Sequence, residues 1–253
     1  MVPDRPPLEI IGLVTQRGVG VVAPFDFALD RELWRWAPDD ISLYMTRLPF
    51  VPVPVTIEMA EQLSDADRVR RATQDVLAPE PLVVTYACAS GSFVGGAAGE
   101  HALHASMMSA GAPAATTTSG GLVSALRALG LSRIAVVTPY IDSVTERLLA
   151  FLGEYGVEVV SSVGLGLLDH IWQVGYAEVV QAVAAVDVAA ADGVFISCTN
   201  VPTYDIIAPL ERWLGKPVLT ANQVTMWSAL HAIESPMMAT GQLLAQVTQP
   251  HAA

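Results

Sequence analysis

Two textures alternate along the chain. Short runs in which almost every residue is apolar, such as VGVV at 19–22, IAVV at 134–137 and GVFI at 193–196, read as strands covered on both faces. Segments with mixed polar and apolar positions between them read as helices. The pattern predicts strands over 19–24, 41–48, 82–87, 112–117, 133–138, 157–163, 193–197 and 217–221. It predicts helices over 30–36, 64–76, 95–108, 120–129, 143–155, 176–190, 205–214 and 224–233. Leu129-Gly130 is a helix stop of the usual kind. Strands apolar on both faces, each followed by a helix, indicate parallel sheets sandwiched by helices.

The pattern repeats. GVVAPFDFALDREL around Pro24 matches AVVTPYIDSVTERL around Pro139, an offset of 115. LVVTYACAS around Cys88 matches GVFISCTN around Cys198, an offset of 110. PAATTTSGGLVSAL from Pro113 matches PVLTANQVTMWSAL from Pro217, an offset of 104. The offsets shrink in order, as they would if the second copy had shorter connections. The chain therefore reads as two copies of one unit of about four strands, related by a pseudo-twofold axis. The lobes expected are residues 1–112 with 221–253, and residues 113–220.

Composition narrows the function. The 253 residues carry 13 basic and 25 acidic side chains, a net charge of −12, which argues against nucleic acid or an anionic membrane as partner. With 52% hydrophobic and only 15% charged residues, the chain can build a full core. The long uncharged stretches are broken by Gly, Pro, Ser and Thr, so no membrane span is expected, and MVPDRPPLEI at the start has no apolar signal core. The expectation is a cytoplasmic enzyme, with a homo-oligomer left open. Two cysteines make no disulfide framework.

In parallel sheets, ligands bind beyond the carboxyl ends of the strands. Each copy places its one cysteine there, Cys88 and Cys198, each at a turn expected to lead into a helix, whose free N–H groups would favour anions and lower a thiol pKa. Two thiols on opposite sides of one cleft suit proton removal on one face and delivery on the other, or attack on carbon by one of them. Such chemistry needs no metal and no organic cofactor. There is no dinucleotide or Walker loop, and the helical pair His101 and His104 lacks a carboxylate partner. Buried structural cysteines and a redox pair are the competing readings.

YACASGSFVGG around Cys88, ISCTNVPTYD around Cys198 and TPYIDSVTERLLAFL together resemble the Asp/Glu racemase superfamily, most nearly its branch of maleate cis-trans isomerases and arylmalonate decarboxylases. The likeness runs from about residue 19 to 233. It implies that Cys88 attacks the double-bond carbon and Cys198 manages the proton; the decarboxylase branch keeps only the second cysteine. It also implies a carboxylate held by Tyr140, by Ser90, and by the backbone N–H groups of Ala89, Thr199 and Asn200, donors that would stabilise an enediolate-like charge. The sequence departs from the isomerases at APFDFALD, where Asp26 stands in place of an asparagine. An ionised Asp26 would repel a carboxylate, pair with a substrate ammonium, or cap the helix starting near Ala28. A further polar position of the family falls in LGLLDHIWQ, at Asp169 or His170.

The fold expected is α/β, two similar flavodoxin-like parallel-sheet lobes with the active site between them. The function expected is a cofactor-independent isomerase or racemase of a small carboxylate. A decarboxylase of a malonate-like diacid is the alternative enzyme, and a carboxylate-binding protein the alternative to an enzyme.

Overall fold

A computed structural model describes residues 15–247 apart from Asp187. MVPDRPPLEI, and with it the outermost ends of the first expected lobe, lie outside the described residues. The first half of the chain runs β1 (Arg17–Ala23), α1 (Asp30–Trp34), β2 (Ile41–Arg47), α2 (Ile57–Leu63), α3 (Ala66–Asp75), β3 (Val83–Tyr86), α4 (Ala89–Phe93), α5 (Gly96–Ser109), β4 (Ala115–Thr117) and α6 (Thr118–Ala128). The second runs β5 (Arg133–Thr138), α7 (Asp142–Glu154), β6 (Glu158–Gly164), α8 (Tyr176–Ala185), β7 (Gly193–Ile196), α9 (Tyr204–Leu214), β8 (Val218–Thr220) and α10 (Ala221–Ala232).

Both sheets are four-stranded and parallel, in the order β2-β1-β3-β4 and β6-β5-β7-β8. The two orders are one topology, and the three sequence repeats fall on β1 with β5, β3 with β7, and β4 with β8. The middle strands are buried at nearly every position, because helices cover both faces and β-branched residues pack well there.

All eight expected strands are present, with ends shifted by no more than three residues. Two expectations are corrected. β4 pairs with β3, so the first sheet reaches Thr117 and the boundary expected after residue 112 falls one strand too early. The helix expected over 176–190 stops at Ala185, since Val186 turns extended. One helix is additional: α2 occupies 57–63, after the proline-rich PFVPVPV. Asp65, accepting from the Arg68 N–H at 2.9 Å, caps α3 and separates it from α2. Among the described residues no helix is long and apolar enough to cross a membrane.

The sheets are joined through α6 and α10, the helices that leave the last strand of each. They pack on each other, and α10 also lies against β3 and β4 of the first sheet. The approach is close because α6 carries Gly121 at the contact: a Cβ there would stand 2.7 Å from the Val224 carbonyl oxygen and 2.7 Å from Ser228 Oγ. Since the obstacle is partly backbone, Gly121→Ala must push the helices apart. We expect a loss of about 1–3 kcal/mol, seen as a melting temperature lowered by about 2–4 °C per kcal/mol in thermal unfolding.

Candidate active site

Four strand ends meet over the seam between the sheets: β1 and β3 from the first, β5 and β7 from the second. Asp26 lies just beyond β1, Cys88 beyond β3, Tyr140 beyond β5 and Cys198 beyond β7. Eight of the residues singled out from the sequence, Asp26, Cys88, Ala89, Ser90, Tyr140, Cys198, Thr199 and Asn200, line one narrow cleft. The remaining wall is apolar: Val55 ahead of α2, Met59 and Leu63 on it, and Ile171 after β6, with Pro24 beside Asp26. Among the described residues, no arginine, lysine or histidine side chain lines this cleft.

Cys88 is buried and sits at the N-cap position of α4 in extended conformation. Its carbonyl accepts from Ser92 Oγ at 2.7 Å, and Ser92 in turn meets Ser119 Oγ at 2.6 Å, which anchors the turn to α6. The sulfur lies 3.9 Å from Ser90 Oγ and accepts from the Gly91 N–H. Only glycine suits position 91: a Cβ would overlap the Tyr86 hydroxyl and stand 3.2 Å from Sγ. Tyr86 itself, fully buried two residues before Cys88, donates its hydroxyl proton to the Leu63 carbonyl at 2.7 Å and presents the same oxygen to the Cys88 thiol.

Cys198 is held differently. Its φ of +84° lies in the left-handed region, which costs a non-glycine residue about 1–3 kcal/mol and persists only when the surroundings enforce it. No helix follows directly; the turn 199–203 intervenes before α9. Cys198 Sγ accepts from the Asn200 N–H at 3.4 Å and from the buried Tyr140 hydroxyl. The Asn200 side chain is committed to the opposite sheet: its Nδ2 donates to the Asp26 carbonyl at 3.2 Å, and its Oδ1 accepts from the Ala28 N–H at 2.9 Å. Asp26 therefore caps no helix. α1 starts at Asp30, its N-cap is Leu29, and Asn200 has taken the N–H that Asp26 would have used.

The electrostatics reverse one expectation. Burial pushes the Cys88 thiol up to about 11 and the Cys198 thiol up to about 12, against the pull of the N–H and hydroxyl donors. The Asp26 carboxylate adds to both shifts, and burial raises its own pKa as well. Helix N–H groups were expected to lower these values. α4 has barely more than one turn, and α9 begins too late to act on Cys198, so desolvation wins. A second correction concerns the segment after β6. Asp169 and His170 are exposed and pair with each other at 3.0 Å, while the next residue, apolar Ile171, faces the cleft.

The arylmalonate decarboxylase family model matches residues 54–244, a span that holds both cysteines and most of the cleft wall. The chain belongs to the arylmalonate decarboxylase family. It is 36% identical to an arylmalonate decarboxylase of Bordetella bronchiseptica over 171 residues, 66% of this chain and 70% of that one. It is 31% identical to a maleate isomerase of Nocardia farcinica over 181 residues, 68% of this chain and 71% of that one. A solved structure of a cysteine-to-serine variant of the Nocardia farcinica maleate cis-trans isomerase, with a covalently bound succinylcysteine intermediate, superposes with a TM-score of 0.82 at 25% identity. That match covers 91% of this chain and 98% of the isomerase. Membership in the arylmalonate decarboxylase family agrees with the resemblance read from the two cysteine motifs.

Two outcomes follow from the charge balance. With thiols at about 11 and 12, the reactive thiolate is scarce at neutral pH, so iodoacetamide labelling of either cysteine in the free protein should rise about tenfold per pH unit from 7 to 10. Labelling followed by mass spectrometry that flattens by about pH 10 would show thiols of ordinary acidity, and a plateau near pH 8 thiols made more acidic by the site. Asp26→Asn removes a negative charge that disfavours both thiolates. Both pKa values should fall, and both cysteines should label faster at pH 8; no change at either would place the Asp26 charge elsewhere.

Proposed function

We propose that this chain is a cofactor-independent isomerase or racemase of a small carboxylate, with Cys88 and Cys198 as its paired thiols. One observation carries the reading: the only two cysteines, at equivalent strand ends of a duplicated unit, line the same cleft. The substrate carboxylate lies against the turn N–H groups of Ala89 and Thr199 with the Ser90 hydroxyl; the Asn200 N–H and the Tyr140 hydroxyl, which point at Cys198 Sγ in the free protein, leave the sulfur to join them as the substrate binds. One thiolate takes the proton from the adjacent carbon. The electron pair left behind spreads into the carboxylate as an enediolate, which these donors stabilise. The other thiol returns a proton from the opposite face, leaving its sulfur ionised, and solvent resets the pair.

On an unsaturated diacid the same groups would work by addition. Cys88 Sγ forms a bond to one alkene carbon, and Cys198 protonates the other. Rotation about the resulting single bond, removal of that proton and loss of the sulfur then give the trans isomer. The succinylcysteine intermediate of the Nocardia farcinica isomerase variant is such an adduct in that protein, which supports the reading here. Two features favour a substrate with one carboxylate and a neutral or cationic far end: the Asp26 carboxyl and the absence of a lining cation among the described residues.

The apolar wall favours a second reading, decarboxylation of a substituted malonate. A carboxylate pressed against Val55, Met59, Leu63 and Ile171 is poorly solvated, so its loss as carbon dioxide relieves that cost. The electron pair stays on the α-carbon, and Cys198 alone protonates it. Reliance on free thiols suits a reducing compartment, consistent with a cytoplasmic enzyme.

The two cysteines separate the readings. Proton NMR in deuterated water, with maleate, aspartate, glutamate, hydantoins and arylmalonates as candidates, should find one that exchanges or isomerises. In a racemase, Cys88→Ala and Cys198→Ala each abolish inversion and wash deuterium into opposite enantiomers. In an adduct-forming isomerase, Cys198→Ala accumulates a mass increase on Cys88. In a decarboxylase, Cys88→Ala keeps substantial carbon dioxide release and Cys198→Ala loses it. Near-normal turnover in both variants would remove the paired thiols from the mechanism.

A further inference from the structure

Glu32 is a buried carboxylate that the chemistry above does not use. It stands on α1 beneath the first sheet's half of the cleft, 8% exposed. Everything near it donates. The Thr203 N–H is 3.1 Å from both carboxylate oxygens, Thr203 Oγ1 gives a bond of 2.8 Å, and Asn222 Nδ2 lies at 3.4 Å. No cation contributes to its environment among the described residues. Burial raises its pKa while these donors oppose the rise. A buried carboxylate without a counter-cation costs stability unless its hydrogen bonds are good, and an apolar residue would carry no such cost.

What it grips is the turn that carries Cys198. Thr203 closes that turn, and Asn222, the Glu32 neighbour on α10, donates to the Thr199 carbonyl at 2.9 Å. The segment 199–203 is thus held at both ends from outside its own sheet, and Cys198, in its left-handed backbone, is the residue just before it. Asn200 adds a third tie, to the Asp26 turn. These bonds supply the enforcement that a positive φ on a cysteine requires.

We propose that Glu32 is a positioning residue: through Thr203 and Asn222 it holds the 199–203 turn so that Cys198 Sγ, half-buried, stays in the cleft with Cys88. The proposal deepens the paired-thiol reading and rests on it for the catalytic consequence only. Glu32→Gln removes the charge and one acceptor oxygen, sets an amide N–H₂ against a backbone N–H that faced that oxygen, and so weakens the hold on the turn. Thr203→Val keeps the side-chain shape and deletes one bond to the carboxylate. Released, the Cys198 sulfur gains water; since desolvation is the main force holding its thiol up, labelling should accelerate while catalysis falls.

The test uses the full chain and follows each cysteine by mass spectrometry under iodoacetamide at pH 8, beside thermal unfolding and turnover. We expect Cys198 to label at least about threefold faster in both variants with Cys88 within about twofold of wild type. On a substrate shown to require Cys198, kcat should fall at least about tenfold with KM little changed. General loosening of the fold would move both cysteines together. If Glu32→Gln does not fold, Thr203→Val alone decides. An unchanged or slower Cys198 rate, or parallel changes at both cysteines, overturns the proposal. Turnover that needs neither cysteine would instead overturn the paired-thiol reading, and the labelling result would still stand on its own.

Discussion

Two thiols drawn away from water, Cys88 buried and Cys198 half-buried, with no cation lining their cleft among the described residues, set the terms for the rest of the structure. Desolvation works against any charge formed there, whether thiolate or enediolate, and only oriented dipoles oppose it. Strand ends supply such dipoles, since the chain stops pairing there and its N–H groups are free for the next turn. Parallel topology points the two relevant ends of each sheet the same way, and two sheets give donors from two sides. The glycine at 91, the tyrosine at 140 and the strained backbone of Cys198 each place a donor on sulfur.

Duplication built the site, yet the two halves are no longer equivalent. Cys88 sits in relaxed extended backbone and leans on its own sheet, through Tyr86, Ser90 and Gly91. Cys198 sits in strained backbone and depends on the other lobe, through Asn200 to the Asp26 turn and Thr203 to Glu32. A thiol whose geometry is enforced across the seam is coupled to the relation between the lobes; one held locally is not. The seam is also where α6 and α10 approach over Gly121. Stability of the lobe contact and placement of Cys198 are therefore linked in this protein.

Much of this was legible beforehand, for identifiable reasons. Strands buried on both faces write continuous apolar runs, and repeats in register exposed the two-sheet plan; the eight site residues followed from the repeat and the family motifs. What stayed hidden depends on distant neighbours. Glu32 lies in DREL, which reads as the exposed first turn of a helix, and its burial is created by Thr203, 171 residues later. Tyr86 carried a faint signal as a lone aromatic in VVTY, but nothing local shows that its hydroxyl reaches Cys88. The thiol acidity was read in the wrong direction because a helix start can be seen in sequence, whereas the depth of burial and the shortness of α4 cannot. Ile171 was passed over for the polar residues beside it, although the cleft takes the apolar one.

The coupling of the two thiols bears on how the proposed chemistry would divide between them. Burial suppresses both, and Cys88 is among the groups that raise the Cys198 pKa. Two thiolates in one cleft would repel, so the pair holds at most one negative charge in its proposed cycle. One sulfur then removes a proton or attacks carbon while the other still carries the proton to be delivered. The two sulfurs are held in different ways, Cys88 from a turn tied to its own sheet and Cys198 from a strained turn tied across the seam. A substrate between them would therefore meet two unlike faces, which suits chemistry with a distinct task for each thiol.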